Sequence, residues 1–167
     1  MANRHIIYKY TVASTFGGDV VQSSCDYDRF EYTSVASNNM TFYILSDFPI
    51  KKYQLYMVTN GTARVQYSRI ASAGLAPYFK DIFVSQEIGV NKPEKAYFDA
   101  CFAKIPGFDR EKAIIVGDSL SSDIRGGKNA GIKTCWVNPK GKEAPAENTP
   151  DYEIKSITEL EELLKTL

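Results

Sequence analysis

The chain has 167 residues, 44% of them hydrophobic, enough for one ordinary core and too few for two comfortable domains. Lys plus Arg number 20 and Asp plus Glu number 20, so no whole-protein basic field exists to attract nucleic acid or anionic lipid. Three cysteines without CxxC spacing (Cys25, Cys101, Cys135) argue against a disulfide framework and a zinc site, and no apolar run approaches the roughly 20 residues that span a bilayer; a reducing cytoplasm and no membrane partner are expected.

At the N-terminus, "HIIYKYTVA" and "MTFYIL" have strand character. Between them, "STFGGDVVQSSCDYDRFEYTSVASNN" is rich in Ser, Asn, Gly and Asp and reads as loop, edge strand or disorder. Composition changes near residue 50, which divides the chain into an atypical segment, 1–52, and a core, 53–167. From there strands and helices alternate. "YQLYMV" is a strand, and "TARVQYSRIASAG" places Val65, Ile70 and Ala71 near one helical face before Gly74 stops it. "DIFVS" is a second strand. "KPEKAYFDACFAKIPG" is a helix with Pro93 near its first turn and Tyr97, Phe98, Cys101 and Phe102 as its apolar side. "AIIVGD" is a continuously apolar strand of the kind buried on both faces, "SSDIRGGKNAG" a short helix, "IKTCWVN" a strand and "SITELEELLKTL" an amphipathic closing helix. "NPKGKEAPAENTPD" is a surface loop. The alternation predicts an α/β fold, a doubly wound parallel sheet between two helical layers.

Such a sheet binds ligands beyond the carboxyl ends of its strands. Thr59-Asn60-Gly61 puts a hydroxyl and backbone N–H groups at a helix start, an arrangement suited to phosphate, although taken alone it reads first as a plain helix cap by Thr59 or Asn60. Lys92 precedes the next helix and could place an ammonium on the same phosphate; alone it reads as a solvated surface charge. Asp118 ends the apolar strand and Asp123 follows within a turn or two, so two carboxylates face one small volume. A divalent cation would relieve their repulsion, and hard oxygen ligands favour Mg²⁺ over zinc. The competing account is that Asp118 and Ser119 cap the helix. No P-loop or Gly-x-Gly-x-x-Gly loop occurs, and the single histidine, His5, stands far from any nucleophile motif.

Taken in order, "VTNG", "DIFVSQEIGVNKPEKAYF" and "IIVGDSLSSDIRGGKNAGIKTCWVNP" resemble the second, third and fourth motifs of the haloacid dehalogenase superfamily of phosphatases, over about residues 53–167. Within it the wording is most similar to the pyrimidine 5′-nucleotidase branch. The resemblance implies a three-layer α/β/α core and Mg²⁺-dependent hydrolysis of a small phosphorylated substrate, a nucleoside monophosphate for that branch, through an aspartyl-phosphate. It also implies that Thr59 bonds the transferring phosphoryl group, Lys92 stabilises its charge and orients the nucleophile, Asp118 helps hold Mg²⁺, and Asp123 supports the acidic cluster.

The family's first motif, four apolar residues followed by Asp-x-Asp-Gly-Thr-Leu or a near variant, is not found. Asp26 and Asp28 have the right separation but follow "QSSC", a poor buried strand; Asp47 follows an apolar run, but Pro49 holds the place of the second acid and has no proton to transfer. The interval from Asp28 to Thr59 is too short for the helical cap of the nucleotidase branch, so a cap domain is expected to be absent. Either the upstream region is altered, for instance by translation in another frame, or it supplies a replacement first strand between those bearing Thr59 and Asp118. An unfilled gap there would expose apolar surface and drive self-association. Two function classes follow: a phosphatase, or a phosphate-binding module without a nucleophile.

Overall fold

The computed structural model describes residues 4–8 and 53–167. Six parallel strands form one sheet in the order β3-β2-β1-β4-β5-β6: β1 Arg4–Tyr8, β2 Tyr53–Thr59, β3 Asp81–Val84, β4 Ala113–Gly117, β5 Lys133–Val137 and β6 Tyr152–Ile154. The helices are α1 Ala63–Ser72, α2 Ser85–Ile88, α3 Lys95–Phe102, α4 Arg125–Ala130 and α5 Leu160–Thr166, with a π-helical turn, Leu120–Ile124, leading into α4. The order steps outward from β1 in both directions, which is the doubly wound topology expected from the alternation.

Alternate residues of the central strands feed two cores, as the period of two in a strand requires. Leu55 and Met57 of β2 and Ile114 and Val116 of β4 pack with Ile70 and Leu75 around α1 and with Leu160 and Leu164 of α5. Tyr56, Val58, Ala113 and Ile115 face the other way, onto Tyr97, Phe98, Cys101 and Phe102 of α3 and Ala130 of α4. These are the outer layers of a three-layer α/β/α sandwich. One buried thiol sits in each core, and burial pushes Cys101 and Cys135 up to about 12. Neither can act as a thiolate near neutral pH.

The element boundaries agree with the sequence pattern within a few residues, with four differences. Pro93 lies outside α3, which starts at Lys95 behind the N-cap position Glu94, because the Asn91–Glu94 turn closes first. Ala71 is exposed, and Leu75, just past α1, takes its expected place in the core. The stretch read as one surface loop runs into a sixth strand, β6, pinned where Asp151 Oδ2 accepts from the Thr134 backbone N–H at 2.8 Å and its hydroxyl at 2.7 Å. The gap between β2 and β4 is occupied: His5, Ile6, Ile7 and Tyr8 of β1 pair with residues of both neighbours, Tyr8 standing opposite Met57 and Val116. A replacement first strand is therefore present, drawn from the segment that the sequence set apart. "MTFYIL", Asp26, Asp28 and Asp47 lie outside the described residues.

Candidate active site

The register of β1 fixes the relation between the two strand ends. Met57 and Val116 are both level with Tyr8, so Thr59 and Asp118, each two residues further on, emerge at the same height on the carboxyl rim. Two strand spacings put their backbones roughly 10 Å apart. Lys92 arrives between them from the segment joining α2 to α3, which follows a cis Lys92–Pro93 peptide.

Lys92 is not the solvated charge that a lone lysine suggests. It is buried, with Nζ donating to the Val58 carbonyl at 3.0 Å and to Asp123 Oδ1 at 2.8 Å. The side chains of this ion pair are 1% and 0% exposed. Asp123 completes its coordination locally: Oδ2 accepts the Ser119 backbone N–H at 3.1 Å, and Oδ1 accepts the Ser122 hydroxyl at 3.3 Å. A buried carboxylate needs such compensation, since an unpaired one would cost several kcal/mol. Gly117 makes room for it, because a Cβ there would stand 2.6 Å from Asp123 Oδ2. Lys92 thus supplies a cation that relieves the charge of Asp123.

Asp118 and Asp123 therefore part company. Asp118 is exposed at the strand end, and its backbone carbonyl accepts Trp136 Nε1–H at 3.0 Å, which fixes the turn. Ser119, whose hydroxyl accepts from Ser122 N–H at 3.2 Å, supplies the cap of the following helical turn. Among the described residues no group of three or more His, Cys, Asp or Glu side chains is placed to hold a metal ion. Asp118, an exposed hard oxygen donor at the rim, is the described carboxylate that fits a cation such as Mg²⁺.

The Thr59 loop is tied to its neighbours by uncharged groups. Asn60 and the Lys92 backbone form a reciprocal pair: Lys92 N–H donates to Asn60 Oδ1 at 2.9 Å, and Asn60 Nδ2 donates to the Lys92 carbonyl at 3.0 Å. Gly61 N–H donates to the hydroxyl of buried Ser85 at 3.0 Å, and Ala63 N–H to Gln86 Oε1 at 2.7 Å. Thr59, 4% exposed, donates its hydroxyl to Gln66 Oε1 at 3.1 Å. Of the residues singled out in the sequence, Thr59, Asn60, Gly61, Lys92 and Asp123 thus form one connected cluster, and Asp118 adjoins it through Ser119. Three participants escaped the sequence reading: Gln66, Ser85 and Gln86. Each is a small or amide side chain within a helix, where nothing in the periodicity separates it from an ordinary surface residue.

Residues 28–137 match the family described as haloacid dehalogenase-like hydrolase. YfnB of Bacillus subtilis is 48% identical over 114 residues, which cover 68% of this chain and 48% of that protein. Pyrimidine 5′-nucleotidase PynA of Streptococcus pneumoniae is 41% identical over 110 residues, 66% of this chain and 46% of its own length. Pyrimidine 5′-nucleotidase YjjG of Escherichia coli is 41% identical over 108 residues, covering 65% and 48%. The chain spans about half the length of the curated relatives it matches. The crystal structure of YfnB bound to magnesium superposes with a TM-score of 0.72 at 45% identity, over 75% of this chain and 55% of that one. The family match begins upstream of Tyr53, inside the segment whose composition is atypical.

Proposed function

Because the chain belongs to the haloacid dehalogenase-like hydrolase family, we propose that it is an Mg²⁺-dependent phosphomonoester hydrolase acting in the cytoplasm on a small phosphorylated substrate, a nucleoside monophosphate by its similarity to the two pyrimidine 5′-nucleotidases. The observation that carries this reading is the Lys92 ammonium, fixed between the Val58 carbonyl near the end of β2 and Asp123. A phosphoryl group in transfer carries its charge on three equatorial oxygens and is stabilised by prepositioned donors and cations, which need no reorganisation during reaction. Thr59 would donate to one such oxygen and Lys92 would offset the charge, while Asp123 holds Lys92 in place. Asp118 would hold Mg²⁺, which when bound supplies Lewis-acid neutralisation of the phosphate. Covalent transfer to an aspartate requires a carboxylate at the end of the central strand.

A specific observation favours a second reading. The strand that fills the central position ends at Tyr8, and the sequence continues Lys9-Tyr10-Thr11-Val12 without an acid. On that reading the chain binds phosphate and does not hydrolyse it. Release of inorganic phosphate from nucleoside monophosphates, measured with and without Mg²⁺, separates the two. Hydrolysis is expected to need Mg²⁺ and to vanish in Asp118→Ala. Binding of inorganic phosphate without turnover, together with no trapping of beryllium fluoride, would replace the first reading by the second.

A further inference from the structure

Thr59 offers a hydroxyl to the site, yet its proton is committed. A hydroxyl carries one O–H and two lone pairs, and the nearer acceptor of the Thr59 O–H is Gln66 Oε1 at 3.1 Å, with the Asn60 carbonyl at 3.5 Å. In that state the oxygen presents only lone pairs to an arriving anion, which repels. The amide of Gln66 has a second face: turned half a revolution about its terminal torsion, which is broad for Gln, it presents Nε2–H to Thr59 Oγ1 instead. The hydroxyl then accepts from Gln66, and its own proton is released toward the rim.

Two features hold Gln66 where this exchange can happen. Its backbone N–H bonds the Thr62 carbonyl at 3.0 Å, the first turn of α1, which anchors the side chain under the loop. Gly61, with φ of +141°, leaves the space the amide occupies: a Cβ there would lie 2.5 Å from Gln66 Nε2. Backbone conformation favours a glycine at this loop position, and a side chain there would displace the amide. We propose that Gln66 is a positioning residue for anion binding, its amide exchanging acceptor for donor against Thr59 so that the Thr59 proton is delivered to a phosphoryl oxygen. This rests on the phosphate reading of the site and adds the device that switches its hydroxyl between closed and receptive states. Glutamine suits it because glutamate, ionised, can only accept, and an apolar residue can do neither.

The test uses the full chain and sulfate, a tetrahedral dianion whose charge is constant across the pH range used, with affinity read by calorimetry. Gln66→Glu should weaken sulfate binding about tenfold at about pH 8, the range expected for a hydrogen bond to a charged group. It should regain most of that loss only as the pH falls below about 4.3, the ordinary Glu value, where the carboxyl protonates and can donate again. Gln66→Met, uncharged and of similar length, should weaken binding several-fold with Thr59 present and have little effect in the Thr59→Val background. Equal losses in both backgrounds, or a Gln66→Glu loss that pH does not recover, would assign Gln66 a merely structural role and overturn the proposal. Wild-type affinity in Gln66→Met would overturn it as well, and that variant keeps the test decisive if Gln66→Glu does not fold. Absence of sulfate and phosphate binding by the wild-type chain would instead remove the phosphate site itself, and this device with it.

Discussion

At the end of β2 the loop Thr59-Asn60-Gly61 is held by neutral hydrogen bonds to Gln66, the Lys92 backbone and Ser85. One strand away and at the same height, the end of β4 is held by a buried ion pair, Asp123 with Lys92, whose charges are 0% and 1% exposed. The difference is one of stiffness. A neutral hydrogen bond contributes about 0.5–1.5 kcal/mol net and can be exchanged for one to a ligand, whereas breaking a buried pair from one side costs about 3–5 kcal/mol. The β2 end can therefore rearrange around an anion while the β4 end keeps the lysine still.

The largest test of that contrast is Asp123→Ala. It takes the counter-ion from the buried Lys92 ammonium, so chemical denaturation should show a loss of about 3–5 kcal/mol. Replacing both partners, Lys92→Met with Asp123→Leu, should recover much of the stability and none of the phosphate binding. A double variant as unstable as the single one would show that the pair is not what holds this end. Gly117→Ala attacks the same end by volume, since its methyl would meet the Asp123 carboxylate at 2.6 Å. Overpacking of this kind costs about 1–3 kcal/mol, and a thermal melt should place this variant between Asp123→Ala and wild type.

These two residues also mark how far the sequence could be read. The alternation of strands and helices, the apolar β4 and the aromatic side of α3 follow from periodicity, because burial selects residue type along a strand or helix. Thr59, Lys92, Asp118 and Asp123 stand at strand ends or helix starts, where polar residues in a buried context are conspicuous. What periodicity could not supply was pairing: two acids five residues apart read as one cluster, and only the fold shows one turned inward to a lysine and the other outward. β6 was missed because three residues, Tyr152–Ile154, are too few for a period to register. β1 lies within a stretch that reads as a strand, but its role was open because a strand pattern does not name its neighbours; its place is decided by pairing with β2 and β4.

The neutral end should yield a smaller effect. Asn60→Ala removes both bonds to the Lys92 backbone, at 2.9 and 3.0 Å, from an exposed side chain, and solvent can replace part of them. A loss of about 1–2 kcal/mol is expected. Anion binding should fall more than stability alone accounts for, because the two loops that carry Thr59 and Lys92 are no longer registered. Calorimetry with phosphate at a temperature where the variant is fully folded checks this. Unchanged affinity there would mean that the Lys92–Asp123 pair positions the lysine unaided.

Asp118→Asn should change stability least, by under about 0.5 kcal/mol, since the carboxylate is exposed and its replacement keeps the backbone carbonyl that accepts Trp136 Nε1–H. On the proposed reading its effect falls on Mg²⁺ binding. An amide oxygen is a neutral, weaker ligand for Mg²⁺ than a carboxylate, so any Mg²⁺-dependent rise in melting temperature seen in the wild type should shrink sharply in this variant. In Asp123→Asn the order reverses, with stability falling and the Mg²⁺ response persisting in the fraction that folds. Were Asp118→Asn to melt as low as Asp123→Asn, or to respond to Mg²⁺ as wild type does, the division of labour between the inward and outward acids of the β4 end would be wrong.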